Sequence, residues 1–168
     1  AFSATDVREN GFTNAFLPHT YTQSSVVYTG THDNTTLRAW LDTLTREDFE
    51  VLLLYIYGEK PEAAVLDGLF PAEKAYTFTE KHDDADSLKD ELCGELIKMA
   101  FFSVSVFAVI PFQDLYAMGK EARINEPSTL GKIWTWSMEK GLFTEECAQW
   151  LGNLVIASGR CNPTGTRQ

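Results

Sequence analysis

The side chains best suited to chemistry are three consecutive polar residues, His32, Asp33 and Asn34, which follow an apolar run. Val and Tyr in that run favour a buried strand, and Gly30 lets the backbone bend at its end. Barrels and open α/β sheets bind ligands at the carboxyl ends of parallel strands. If residues 26–31 form such a strand, the Asp33 carboxylate faces a ligand as a base, nucleophile, metal ligand or electrostatic stabiliser.

The same residues also suit a purely structural role. The run Thr-His-Asp-Asn-Thr-Thr at residues 31–36 is typical of a helix N-terminus, where an Asp caps the first turn. The residue types alone leave both interpretations of Asp33 open. A metal site is not expected, because the chain has only three His and no His-x-His or Asp-x-His pair. Phosphate-loop and serine-elbow motifs are also absent from the sequence.

A second apolar run predicts a second strand that is also followed by polar side chains. Residues 104–111 are typical of a strand buried on both faces, as in a parallel sheet, and Gln113 and Asp114 follow it. Trp134 and Trp136 alternate in a loop further on. Indoles stack on the C–H faces of sugars but more often fill cores, so these two either contact a ligand or pack internally.

The segments between and after these apolar runs show the periodicity of helices. The predicted helices cover residues 36–44, 46–57, 63–66, a long segment from Asp86 or Ser87 to about residue 100, and 144–157. Thr45 is the predicted N-cap of the second of these, and the last is predicted to start near Thr144. Residues 3–25, rich in Ser, Thr, Asn and Gly, predict a long loop, and residues after about 158 a frayed tail.

Composition narrows the class of protein. The 168 residues are enough for one domain, and 24 Asp and Glu against 14 Lys and Arg give a net charge of −10. Such a chain repels a phosphate backbone, so we expect no nucleic-acid partner, whereas an uncharged substrate such as a sugar is compatible. Three widely spaced cysteines suit a reducing cytoplasm. No signal segment or membrane-spanning run is evident.

Four stretches together resemble the 4-alpha-glucanotransferases, also called amylomaltases or disproportionating enzymes. Pro-His-Thr-Tyr at 18–21 resembles the family's Pro-His-Asn-Tyr, and Val-Tyr-Thr-Gly-Thr-His-Asp-Asn at 27–34 resembles its longest motif. Pro-Phe-Gln-Asp-Leu at 111–115, with Glu-Ala-Arg-Ile-Asn at 121–125, resembles its Pro-x-Gln-Asp-Leu and Ala-Arg-Met-Asn stretch. Gly131 to Trp136 resembles Gly-x-Asn-Trp-x-Trp. The match covers most of residues 1–137 and is poor after 150.

The resemblance implies an α/β fold. Residues 1–168 would be the carboxyl-terminal part of a (β/α)₈ TIM barrel, roughly its last two strands with their helices. The chain opens without Met, which is compatible with a truncated parent.

The resemblance also implies an activity on α-1,4-glucans and maltooligosaccharides. Segments would be transferred with retention to another sugar hydroxyl, through a covalent glycosyl-enzyme and without a cofactor. Asp33 matches the carboxylate that stabilises the transition state, and His32 a sugar-binding His. The other implied substrate-binding residues are Asn34, Gln113, Asp114, Pro18 and His19.

The family's nucleophile and acid/base motifs, Arg-x-Asp-His and Glu-Asp-Leu-Gly, are absent here. We therefore expect the preceding part of the barrel to be required and this chain alone to be inactive. Two alternatives stay open at this point: a non-catalytic carbohydrate-binding or structural fragment, and a related α-retaining glycoside hydrolase.

Four positions depart from the family pattern without altering His32 or Asp33. Thr20 stands for Asn and Thr35 for Asp, while Ile133 stands for Asn and Ser137 for Arg. Because these positions surround the expected site, acceptor preference and loop contacts do not follow from the resemblance.

Overall fold

We describe the protein from a computed structural model, which defines residues 4–70, 82–129 and 134–161. The helices are α1 (Ala4–Asn10), α2 (Leu37–Leu41), α3 (Arg46–Tyr57), α4 (Ala63–Leu69), α5 (His82–Phe102), α6 (Phe112–Leu115) and α7 (Glu145–Ala157). The strands are β1 (Val26–Tyr28) and β2 (Phe107–Val109), and 3₁₀ turns lie at Pro18–Thr20 and Lys120–Ala122. The motif residues Gly131 and Ile133 and the tail from 162 lie outside the described residues.

Hydroxyl caps set where three helices begin. The side chains of Thr36, Thr45 and Thr144 accept hydrogen bonds from backbone N–H groups three residues later, each at 3.2 Å. Such caps satisfy donors that the first helical turn leaves without an intrahelical partner. At the other end of α3, Gly58 adopts a left-handed φ of 77° and stops the helix. The predicted bounds of α3, its Thr45 cap and the predicted start of α7 near Thr144 are confirmed.

Several predicted bounds were wrong. The helix predicted at 36–44 covers only Leu37–Leu41, and the one predicted at 63–66 continues to Leu69. Residues 3–25 are not one long loop, because α1 forms within them and packs against α3. Its polar composition hides the helix, and an ion pair of 2.9 Å between Arg8 and Glu47 joins the two helices. The long helix α5 begins at His82, several residues before the predicted caps Asp86 and Ser87.

The strands β1 and β2 pair in parallel, in the register Val26↔Phe107, Val27↔Ala108 and Tyr28↔Val109. Their parallel pairing is confirmed, but the prediction that residues 104–111 are buried on both faces was wrong. Within the part of the chain that the structure describes, only one face, with Val27 at 3% exposure, packs on the helices, whereas Phe107 remains 63% exposed. A two-stranded sheet with helices on one side leaves its opposite face uncovered.

The core lies between α2, α3 and α5. Its largest fully buried side chains are Leu41, Phe49, Leu52, Leu92 and Ile97. Ion pairs of Arg38 join α2 to α5 at the edge of this core. Its guanidinium pairs with Asp86 at 2.6 Å and with Asp90 at 3.0 Å, both on α5. No helix of the described ranges is both long and apolar enough to cross a membrane.

The end of α5 is held by a side chain from beyond α7. Arg160 donates to the carbonyl oxygens of Phe101 at 2.7 Å, Ser105 at 2.9 Å and Ser103 at 3.0 Å. These carbonyls belong to the last helical turn and to the link into β2, where a cation also meets the negative end of the helix dipole. Residues 158–160 are therefore hydrogen-bonded to the fold, and the fraying predicted after about 158 stays a prediction.

Replacing this guanidinium should destabilise the chain measurably. We expect Arg160→Met to lower the free energy of unfolding by about 2 kcal/mol, because several helix-end carbonyls lose charged donors together. Urea denaturation of the 168-residue chain measures the difference. Arg8→Met is the matched control, because Arg8 forms an exposed ion pair worth at most about 1 kcal/mol. Equal effects of the two substitutions would contradict the assignment to Arg160.

Candidate functional site

Two loops meet beyond the carboxyl ends of the paired strands. The loop 29–36 follows β1 and leads into α2. Residues 110–111 follow β2 and lead into α6, with Pro111 as its N-cap. Because β1 and β2 run parallel, their following residues lie at the same edge of the sheet. A narrow cleft there is lined by His32, Asn34, Gln113 and Asp114 among others. Four of the predicted site residues are thus brought together.

The Asp33 side chain lies at the rim of this edge and is half exposed, at 50%. Its Oδ1 accepts a hydrogen bond of 2.6 Å from Nδ2 of Asn125, and Nε2 of His32 lies 3.2 Å from the same oxygen. The backbone carbonyl of Asp33 accepts a 2.9 Å bond from Nη2 of Arg123. The carboxylate is therefore fixed by the loop that follows α6 and is open to solvent on its other side.

An aromatic surface adjoins the carboxylate. The rings of His32 and Trp134 lie 5.0 Å apart at an interplanar angle of 34°, and Trp134 is 60% exposed. Trp134 adopts a left-handed φ of 59°, and its backbone N–H donates to the backbone carbonyl of Ile124 at 2.8 Å. Trp134 is therefore not packed in the core that the described residues form, and its contact with a ligand stays a prediction. Trp136 instead lies against Phe112, with ring centroids 6.3 Å apart.

Asn34 holds the turn on which His32 and Asp33 sit. Its Oδ1 accepts hydrogen bonds from both the backbone N–H and the hydroxyl of Thr31, each at 2.8 Å. The backbone N–H of Asn34 donates to the Thr31 carbonyl at 3.1 Å. The side-chain carbonyl is consequently used inside the turn. The residue as a whole is exposed.

Gln113 and Asp114 are buried, at 3% and 2% exposure. Nε2 of Gln113 donates to the carbonyl of Ala122 at 3.2 Å. Asp114 accepts from the Thr29 hydroxyl at 2.5 Å through Oδ2 and from the Leu37 N–H at 2.8 Å through Oδ1. Both side chains hold neighbouring loops, and direct contact of either with a sugar stays a prediction.

Burial raises the pKa of the Asp114 carboxyl above its ordinary value of 3.8, while the hydrogen bonds from Leu37 and Thr29 favour the charged form and oppose the shift. This carboxylate lies at the junction of three elements. It joins the end of β1 to the first residue of α2 from its own place on α6.

The other two predicted residues lie on the 3₁₀ turn 18–20. Pro18 lines a cavity of about 400 Å³ that also borders Gly30 and Asn34. His19 instead contacts the Tyr55 hydroxyl through Nδ1 at 2.8 Å and the Phe12 carbonyl through Nε2 at 2.7 Å. Because a carbonyl only accepts, Nε2 of His19 carries a proton.

Arg123 and Asn125 were not predicted as site residues. They occur in the motif at 121–125 that contributes to the family resemblance, but nothing in its residue types or spacing indicates a contact with Asp33. Their contacts with Asp33 join residues 90 and 92 positions apart, which periodicity cannot reveal. Within the described ranges, no group of three or more His, Cys, Asp and Glu side chains could hold a metal ion.

Comparison with known proteins gives consistent relatives. A family model described as 4-alpha-glucanotransferase matches residues 2–143. A 4-alpha-glucanotransferase of Clostridium butyricum is 32% identical over 148 residues, which are 88% of this chain and 25% of that protein. One from Thermus thermophilus is 32% identical over 154 residues, covering 90% of this chain and 26% of the relative. The chain thus spans about a quarter of the length of these two relatives.

A solved structure supports the fold. The amylomaltase from Streptococcus agalactiae in complex with acarbose superposes with a TM-score of 0.67 over 91% of this chain and 25% of that chain. Sequence identity in this comparison is 23%, so it bears on the fold alone.

The buried carboxylate predicts how stability depends on pH. Because the pKa of Asp114 is raised on folding, the native chain retains a proton that the unfolded chain loses just above pH 3.8. Stability therefore falls as pH rises from that value through the raised pKa. We expect Asp114→Asn to remove this fall. Urea denaturation of both chains between pH 4 and 7 measures it, and a wild-type stability that rises relative to the variant would contradict it.

Proposed function

The chain belongs to the 4-alpha-glucanotransferase family, and from this premise we propose that it forms the carboxyl-terminal part of a (β/α)₈ barrel. The complete barrel would transfer α-1,4-glucan segments between maltooligosaccharides. The observation that carries the proposal is the exposed Asp33 carboxylate, which is held beside the ends of two parallel strands. That edge is where barrel enzymes place their reacting groups.

The uncovered face of the sheet supports the partial barrel. Val26, Tyr28, Phe107 and Val109 alternate with residues that face the helices, and they are 40% to 63% exposed. Apolar side chains on one sheet face require a covering layer. We propose that the preceding barrel strands close around this face, and that residues 1–168 form one segment of that domain.

Asp33 is proposed as the stabiliser of the oxocarbenium-like transition state. A fixed anion beside a ring that becomes positively charged lowers the barrier, since it interacts more strongly with the transition state than with the neutral sugar. The nucleophilic Asp and the acid/base Glu of this retaining mechanism would come from earlier strands. The reaction so described needs carboxylates and no cofactor.

The surroundings of Asp33 suit a neutral sugar. His32 can hydrogen-bond a hydroxyl, and the exposed ring of Trp134 offers an apolar face to sugar C–H groups. Asn34, Gln113 and Asp114 would complete the site from the two loops. Pro18 and His19 are proposed to line its approach from the first 3₁₀ turn. We also propose a cytoplasmic location, which the small, odd number of widely spaced cysteines in the sequence supports.

Substitution of Asp33 tests the proposed role directly. In the full-length protein that carries this segment, we expect Asp33→Asn to lower kcat by at least about 100-fold, because the transition state loses its charge partner. Conversion of maltotriose to longer and shorter maltodextrins measures kcat. Asp67→Asn is the matched control, since Asp67 lies on α4 in an ion pair with Arg46. Near-normal activity of the Asp33 variant would remove this residue from the mechanism.

The isolated segment gives a second test. The 168-residue chain should not disproportionate maltotriose, because it lacks the motifs that carry the nucleophile and the acid/base residue. Chromatography of products from prolonged incubations checks this, with the Thermus thermophilus relative as the positive control. Formation of longer maltodextrins by the chain alone would show that the preceding segment is not required.

A further inference from the structure

We propose that Asn125 and Arg123 are positioning residues, which hold the Asp33 carboxylate in one orientation without neutralising its charge. This inference rests on the proposed function, because it explains how Asp33 is set for that role. It concerns the loop after α6, whose contacts with the His32–Asp33 turn join distant parts of the chain.

The carboxylate is held through one oxygen. Asn125 donates to Oδ1 at 2.6 Å, and His32 approaches the same atom at 3.2 Å. Among the described residues, Oδ2 accepts no hydrogen bond and forms no ion pair. Half of the side chain is exposed, so Oδ2 is the oxygen left for a sugar. Fixing one oxygen determines the direction in which the other points.

Arg123 joins the two loops through their backbones. Its Nη2 donates to the carbonyl of Asp33 at 2.9 Å, and its Nε donates to the carbonyl of Asn125 at 2.7 Å. The guanidinium thus sets the distance between the backbone that carries the carboxylate and the backbone that carries its amide donor. Its side chain is 28% exposed, against 50% for Asp33, so the support is more buried than the group it supports.

The choice of contacts preserves the negative charge. A guanidinium paired directly with the carboxylate would cancel much of the field that a cationic sugar ring feels. Arg123 instead bonds to the Asp33 carbonyl, and the carboxylate is touched by the neutral Asn125 amide and, at 3.2 Å, by the imidazole of His32. A neutral donor orients the anion and leaves its charge for the transition state.

The same segment positions the aromatic neighbour. The backbone carbonyl of Ile124, between the two positioning residues, accepts a 2.8 Å hydrogen bond from the backbone N–H of Trp134. The Trp134 ring lies against His32, whose imidazole reaches Oδ1 of Asp33. Three consecutive residues, 123–125, therefore hold both the carboxylate and the aromatic surface beside it.

The test compares Asn125→Ala and Asn125→Asp in the full-length protein, with maltotriose disproportionation as the assay. Alanine removes the donor, whereas Asp keeps the size of the side chain and places a second carboxylate against Asp33. We expect each variant to lower kcat by about 10- to 100-fold and to change KM by less than about threefold, because the orientation of Asp33 matters in the transition state. Thermal midpoints should match the wild type. Lys120→Ala, at an exposed residue of the same loop, is the control.

Asp33→Asn in the same assay separates this inference from the proposed function. If Asp33→Asn abolishes activity while both Asn125 variants stay within about twofold of wild-type kcat, the positioning role is wrong and the proposed function stands. A loss of kcat that is matched by loss of folded protein assigns Asn125 a structural role and also overturns the inference. Full activity of Asp33→Asn would remove Asp33 from the mechanism and this inference with it, whereas a wild-type full-length protein that does not disproportionate maltotriose would overturn the proposed function itself.

Discussion

The arrangement of the site depends on a carboxylate that is itself removed from solvent. Asp114 is 2% exposed and accepts hydrogen bonds from Thr29 at the end of β1 and from Leu37 at the start of α2. These two residues flank the loop that carries His32 and Asp33. A buried charge is stable only when its hydrogen bonds are satisfied, so Asp114 can be tolerated only with both ends of the loop in place.

Two carboxylates therefore have separate roles, set by their environments. Asp114 is enclosed and binds backbone and hydroxyl donors, whereas Asp33 is half exposed and is held at one oxygen by the Asn125 amide, with His32 beside it. Burial raises the pKa of Asp114, and both of its oxygens are occupied within the fold. The inner carboxylate fixes the loop, and the outer one keeps an oxygen for a ligand. The proposed chemistry depends on these two separate roles, one carboxylate holding the loop and the other facing the ligand.

Local signals predicted the elements that they determine by themselves. The Thr45 cap, the apolar stripe and Gly58 define α3 within a single stretch of sequence, and the two apolar runs indicated a parallel pair. Contacts between distant residues were not predictable in this way. The helix α1 depends on packing against α3, and the Asn125–Asp33 bond joins positions 92 residues apart. The exposure of Phe107 was missed because an apolar strand does not reveal how many neighbours cover it.

The most direct test is a crystal structure of the full-length protein bound to an inert maltooligosaccharide analogue. We expect Oδ2 of Asp33 to contact the sugar at the scissile linkage, while Oδ1 keeps its hydrogen bond to Asn125. A sugar bound at this edge with the Asp33 side chain turned to solvent, or a sugar bound elsewhere, would contradict it.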